Sequence, residues 1–553
     1  MSEVPLRIDN ADSVKWDDTA DIVVVGFGGA GAAAAIEARQ QGVADVLALD
    51  QFAGGGATAR SGGIHYAGQT RFQKEGGVDD TVDDMFNFLW AEGVPVRKET
   101  LRRFCEECSD NMEWVAGFGV PYSGKAWHDK CALPPNGYYL YYTGNEKHPK
   151  FDGVAKPAPR GHRVVADGFG GHVHFAKLSA AAREMGVRVV PHSPVKRLVM
   201  DSANNVVGVE VAPIPPSAWP EVERLYKKVA AWEPVSGSRA EKAISANAAL
   251  EARYSERRLI RARAGVLLST GGYIYNLDMV QRHRPEIGKA YKAVMRLGSM
   301  GCNGSGIRIG EAAGGIAEHM NRVYVGRIIS PPESQVRGLL VNAKGQRFIN
   351  EDVYIGELGE ALAQQAAQQL NTWLVLEAKD FWEALRFVFN PGRGMFLPFG
   401  LPTLLSILLG GTKRGGSLQA LASKCGIDYA GLKKTVDDYS AAARKGAPDP
   451  LGKHADYIKP FGDGPFYALN MAIDNMFSFT PSFSLGGLRV DEETGAVLRK
   501  DGSTINGLYA AGRAAVGLCT LGYQSGMSIA DTVFSGRRAG RSMSAKIVQG
   551  KVA

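Results

Sequence analysis

Gly26, Gly28 and Gly31 stand in the order G-x-G-x-x-G, the spacing that lets a backbone close around a pyrophosphate. The first glycine permits the tight turn, the second lets the chain approach the phosphates, and the third allows a helix to pack closely on its strand. With Gly29 and Ala30 between them, these residues open a helix expected over residues 30–40, whose N-terminal N–H groups and dipole attract negative charge. Asp50, followed by Gln51, stands where a carboxylate accepts a hydrogen bond from a ribose hydroxyl. Residues 54–68 then read GGGATARSGGIHYAG, a density of glycine and small hydroxyl residues that marks backbone running against a flat ligand. The chemistry implied is dinucleotide binding, with NAD and FAD both open at this point.

Such a loop needs a strand on each side of its helix. The β-branched run over residues 22–25 predicts a strand buried on both faces, and residues 45–49 predict its parallel neighbour. A further block of the same kind begins at Asp167, with a glycine-rich turn, a helix over residues 173–185 and strands near residues 187–190 and 206–211. Residues 213–258 look like a charged, largely helical insertion without a catalytic signal, and residues 264–269 resume a buried strand. Basic, proline- and helix-rich sequence runs from about residue 286 to 463, after which short strands and glycine turns return. The expected class is α/β (α+β overall): a nucleotide domain over residues 1–285, a different domain over 286–463, and completion of the first over 464–553.

Other reactive side chains form no convincing site. Cys105 and Cys108 make a C-x-x-C in a helix-like stretch without a second pair, so two ordinary helical thiols are expected. His162, His172 and His174 cluster in sequence but lack metal-ligand partners, and no metal is expected. The net charge of +7 comes without a basic arm, which gives no reason to expect nucleic acid. The first residues show no charged segment followed by an apolar one, and a cytoplasmic protein is expected. Residues 395–411, MFLPFGLPTLLSILLGG, are apolar and flanked by Arg393, Lys413 and Arg414. Pro398, Gly400 and Pro402 interrupt the first half, so a spanning helix is not expected. The stretch reads as a core helix, a peripheral membrane contact or an entrance for an apolar substrate.

The segments GFGGAG (26–31), ATARSGGI (57–64), STGGY (269–273), GSGIRIGEAAGG (304–315), GQRFINED (345–352), SLGGL (484–488) and GLYAAGR (507–513) resemble the fumarate reductase/succinate dehydrogenase flavoprotein superfamily, and within it the FAD-dependent 3-ketosteroid dehydrogenases. The resemblance implies a two-lobed Rossmann-like FAD-binding domain with an inserted catalytic or capping domain. It implies cofactor contacts from Gly26, Gly28, Gly29, Ala30, Gly31, Asp50, Gln51, Gly56, Ala57, Thr58, Ser61, Gly62, Gly63, Val195, Thr270, Gly271, Gly512, Arg513, Ser528 and Ile529. Members with covalent flavin carry a histidine where this chain has Gly56, so non-covalent FAD is expected.

Departures from the fumarate reductases are as telling as the matches. Ser484 stands in place of their histidine, and residues 521–526, LGYQSG, replace their asparagine–arginine pair, which removes the bidentate carboxylate clamp. Tyr354, just after RFINED, and Tyr523 resemble the two tyrosines of the ketosteroid dehydrogenases, and Y-x-S-G over residues 523–526 favours the Δ4-(5α) type over the Δ1 type. The implied reaction removes a proton from the carbon beside a ring ketone and transfers a hydride to flavin N5. Tyr523 and a backbone N–H at Gly526 would polarise the ketone, and Ser525 with Tyr354 would take the proton; Arg347 reads as structural. The substrate would be a steroid or sterol, with the electron acceptor unspecified. The alternatives are an ene-reductase of the fumarate or urocanate kind, and a flavoprotein electron-transfer subunit.

Overall fold

A computed structural model describes residues 3–129, 131–229, 237–254, 256–548 and 550; residues 230–236, inside the expected insertion, lie outside them. The apolar run at residues 22–25 ends strand Asp18–Val25, whose last six residues are buried. It pairs in parallel with Val46–Leu49, and that strand with Arg188–Val190. On its other side lies the long strand Arg258–Leu268. The first half of this strand pairs with Val206–Val211 and its last three residues with Thr504–Ala510, so the C-terminal part of the chain completes the sheet begun at the N-terminus. Val195–Met200 and Leu6–Arg7 finish that edge. The fold is of mixed helices and sheets, α/β as expected.

Helix Gly29–Gln40 crosses the C-terminal helix Met527–Val548 at close range because both faces carry small residues. A side chain at Gly536 or Gly540 would strike the backbone of Ala30 or Ala34. Glu37, almost fully buried in this contact, accepts from Arg537 at 2.6 Å and Arg541 at 3.0 Å. The motif loop of the first helix and the amino end of the last are thereby held side by side.

Between the two parts of the large sheet lies a four-stranded antiparallel sheet, Leu339–Asn342, Thr372–Glu377, Phe466–Asn470 and Lys413–Gly415. Its strand Phe466–Asn470 follows residue 463, so the middle sheet takes in sequence beyond the composition change. Arg347 pairs with Glu351 and Asp449, both at 2.6 Å, and Lys453 with Glu351 at 2.9 Å, tying the RFINED segment to this layer. Cys105 and Cys108 lie buried in helix Lys98–Gly117, with burial pushing both thiols up. His162 accepts or donates at 2.7 Å with Thr70, and burial holds both it and His174 at about 4. Pro402 opens helix Leu401–Leu409 instead of interrupting it, since a proline in the first turn has no N–H to lose.

Candidate active site

A cavity of about 670 Å³ follows the carboxyl ends of Asp18–Val25, Val46–Leu49 and Arg258–Leu268, where open α/β sheets bind ligands. Of the expected cofactor positions, all but Gly31 and Gly63 line it. Those two are held by packing: a side chain at Gly31 would meet the Gly26 carbonyl, and one at Gly63 the Gly170 backbone. Gly26 has φ +97°, and a Cβ there would lie 2.7 Å from the Ser269 carbonyl oxygen. Glycine is therefore required at the turn by both conformation and space.

At one end, Asp50 receives the N–H of Phe27 at 2.8 Å and of Phe52 at 2.7 Å, and burial raises its carboxyl to about 6. Gln51 and Lys196 both donate to Glu251, at 2.7 and 2.9 Å. Arg60 lies 4.2 Å from the centroid of the Tyr226 ring. Tyr226 and Glu251 come from the insertion, which offers no motif, so their part in the wall was not readable from the sequence. Thr270 lines the middle of the cavity with its buried hydroxyl unpartnered among the described residues.

The other end is aromatic. Tyr523 lines the cavity with Phe483 and Leu297, and its ring sits 5.3 Å from Phe483 and 5.1 Å from Tyr324. The Ser528 hydroxyl donates to the Tyr523 oxygen at 3.4 Å, which leaves the phenolic O–H free to point elsewhere. Burial pushes this phenol up to about 12, so it stays a neutral donor near pH 7. Arg513 stacks 4.9 Å from the Phe483 centroid. Ser484, the histidine replacement, does not line the cavity; its hydroxyl accepts from the Tyr273 N–H at 2.7 Å.

Behind Tyr523, residues 171 positions apart meet: the Ser525 Oγ is 3.0 Å from the Tyr354 hydroxyl. Tyr354 precedes helix Ile355–Ala367, and its N–H is fixed at 2.7 Å by the Asn145 side chain. Its hydroxyl donates onward to Tyr324 at 3.5 Å, and burial raises both phenols. Tyr324 lies in the short strand Val323–Val325 and carries no sequence signal. Gly526, at φ +98°, leaves no room for a side chain, since a Cβ would lie 2.9 Å from Ile64 and 3.0 Å from the Tyr66 nitrogen. Its N–H has no partner among the described residues.

Residues 21–529 match the family described as FAD binding domain. The chain belongs to that family. It is an FAD-dependent oxidoreductase, similar to 3-oxo-5-alpha-steroid 4-dehydrogenase of Comamonas testosteroni at 36% identity over 92% of this chain and 95% of that one. It is also similar, at 25% identity, to 3-oxosteroid 1-dehydrogenase of Mycolicibacterium smegmatis over 89% and 91% of the two chains. Its structure resembles that of 3-ketosteroid-delta4-(5alpha)-dehydrogenase from Rhodococcus jostii RHA1 in complex with 4-androstene-3,17-dione, with TM-score 0.79, 30% identity and coverage of 98% and 99%. The residues present fit the FAD of this family. The glycine-walled turn, the unpartnered Thr270 hydroxyl and the Asp50 carboxylate line one continuous cavity, and the amino end of helix Met527–Val548 closes it.

Proposed function

We propose that the enzyme dehydrogenates a 3-ketosteroid beside its ketone, with the Δ4-(5α) regiochemistry. The observation that carries the reading is the approach of Ser525 to Tyr354 beside a tyrosine that lines the FAD cavity. The similarity to the 3-oxo-5-alpha-steroid 4-dehydrogenase of Comamonas and the 3-ketosteroid-delta4-(5alpha)-dehydrogenase of Rhodococcus supports the same substrate and positions. A wall of Leu297, Phe483 and Tyr523, with the Arg513 guanidinium stacked on Phe483, suits a ketone on an apolar skeleton.

In this reading the Tyr523 O–H and the Gly526 N–H donate to the ketone oxygen and so acidify the neighbouring carbon. Donors placed on developing negative charge are worth about 2.7–4 kcal/mol each. The Ser525 oxygen receives the proton while its own passes to Tyr354, that of Tyr354 to Tyr324 and that of Tyr324 onward to solvent, the order set by the Tyr354-to-Tyr324 hydrogen bond. Burial makes a free phenolate at Tyr354 costly, so the transfers must be coupled. Bound FAD supplies the two-electron acceptor for the second hydrogen. Asn145 fixes where Tyr354 begins its helix, and the packing of Gly526 on Ile64 and Tyr66 fixes the turn that presents Ser525.

The test is a Ser525→Ala variant assayed with a 5α-reduced 3-ketosteroid. Loss of at least about a hundredfold in kcat with unchanged FAD content supports the assignment, since general-base catalysis contributes 10²–10⁴-fold. Turnover at the parental rate overturns it.

A further inference from the structure

Helix Ala378–Phe389, turn Phe396–Gly400 and helix Leu401–Leu409 pack on one another and leave an apolar ledge uncovered. Phe389, Leu397, Leu408 and Leu409 are 79%, 74%, 65% and 56% exposed, with Trp382 and Phe396 also exposed beside them. The acids of the first helix, Asp380 and Glu383, are both paired with Arg337, and beyond them the charge along the chain has one sign. Residues 384–427 contain Arg386, Arg393, Lys413, Arg414 and Lys424 and not one aspartate or glutamate. All five cations are exposed, and none is ion-paired among the described residues.

The underside of the ledge reaches toward the catalytic turn. Met395 and Phe399 are buried in one apolar cluster with Leu133 and Tyr141, against which Ile64 and Ile328 pack. Ile64 is the residue that closes over Gly526, next to Ser525. Among the described residues no helix is long and apolar enough to cross a membrane. Helix Leu401–Leu409 spans roughly 14 Å, against a hydrocarbon core of about 30 Å. A short apolar ledge rimmed by cations fits a surface that is apolar beneath and anionic on top. A second copy of the ledge would bring like charges together, which disfavours self-pairing.

We propose that this ledge docks the enzyme on the face of an anionic lipid bilayer, with the leucines in the acyl boundary and Arg393, Lys413 and Arg414 on the headgroups. The docking goes beyond the catalytic reading and does not depend on which substrate is turned over. Its position places the cluster under Ile64 between the bilayer and the catalytic turn, where an apolar substrate dissolved in lipid would arrive.

The experiment floats the holoenzyme, without substrate, on phosphatidylglycerol vesicles and on phosphatidylcholine vesicles. Recovery with the first, weak recovery with the second, and decline with added salt are expected. The triple variant Leu397→Ser, Leu408→Ser, Leu409→Ser should lower the vesicle partition coefficient by about tenfold or more. Lys413→Gln with Arg414→Gln should lower binding to phosphatidylglycerol by more than about tenfold. Both variants should keep their flavin absorbance and their turnover of detergent-solubilised steroid. If steroid turnover fails in every form, the flotation still reads the proposal alone. Absence of flotation on phosphatidylglycerol overturns it, as does equal flotation of the leucine variant. A concentration-dependent dimer that is lost in the leucine variant would also overturn it, by showing a second copy as the occupant.

Discussion

Replacing Tyr523 with phenylalanine removes one oxygen and leaves the rest of the site in place. The ring keeps its contacts with Tyr324 at 5.1 Å and Phe483 at 5.3 Å. The hydrogen bond that the hydroxyl accepts from the Ser528 side chain is long, at 3.4 Å, so the loss of folding stability should stay within about 1 kcal/mol. The catalytic loss is larger. At about 12 the phenol is protonated throughout the working pH range and acts as a donor, never as a base. Removing one donor from a developing oxyanion costs about 2.7–4 kcal/mol, or roughly 10²–10³ in kcat. Single-turnover reduction of the bound flavin by a 5α-reduced 3-ketosteroid, followed anaerobically, isolates the step. The expected result is that loss in rate with FAD content and Tm unchanged. A rate within about threefold of the parent, less than 1 kcal/mol, would refute the assignment of Tyr523 to the ketone.

Tyr354→Phe should slow flavin reduction by about 10²-fold or more while Ser525 stays in place, because the proton then has no onward path; solvent-isotope effects on the single-turnover rate check this. Reconstitution of apo-protein with FAD should weaken as pH falls through about 6, because the ribose hydroxyl is accepted best by the ionised Asp50, and should be level above it. Asp50→Asn should flatten that profile in a fluorescence titration. Glu37→Ala should cost about 1–3 kcal/mol in denaturant unfolding, since it removes a buried acceptor from Arg537 and Arg541, which keep Asn111 and Glu107. Burial raises the Glu37 carboxyl, but the two arginines more than offset it and hold the group below its usual range. Its contribution is therefore complete above the ordinary carboxylate pKa and is lost as pH falls through the lowered value.

The nucleotide half of the fold was legible because its signals are local. The strand run at residues 22–25, the glycine spacing and Asp50 all fall within thirty positions, and each is dictated by backbone conformation or by burial on both faces of a sheet. Tyr523 and Ser525 could be named only through a resemblance, since four residues of Y-x-S-G have no period and no conformational necessity beyond Gly526. Tyr324 was out of reach. Its strand, Val323–Val325, looks like any short apolar strand, and its part in the site comes from stacking on Phe483 and from a hydroxyl met across the interior. Tyr226 and Glu251 escaped for a related reason: they lie in an insertion whose charged helices look solvated until the Gln51 and Lys196 side chains reach them. The interruption expected at Pro402 failed on position, because the same ring that breaks a helix interior starts one well in its first turn.

Anaerobic bleaching of the bound flavin is the most direct test of whether this flavin site is paired with a saturated 3-ketosteroid. A 5α-androstane-type 3-ketone is expected to reduce the flavin within the dead time of manual mixing, whereas the 4-ene-3-ketone should leave it oxidised. Bleaching by the 4-ene-3-ketone would point to the Δ1 positions instead, and bleaching by neither steroid would rule out a 3-ketosteroid as the substrate.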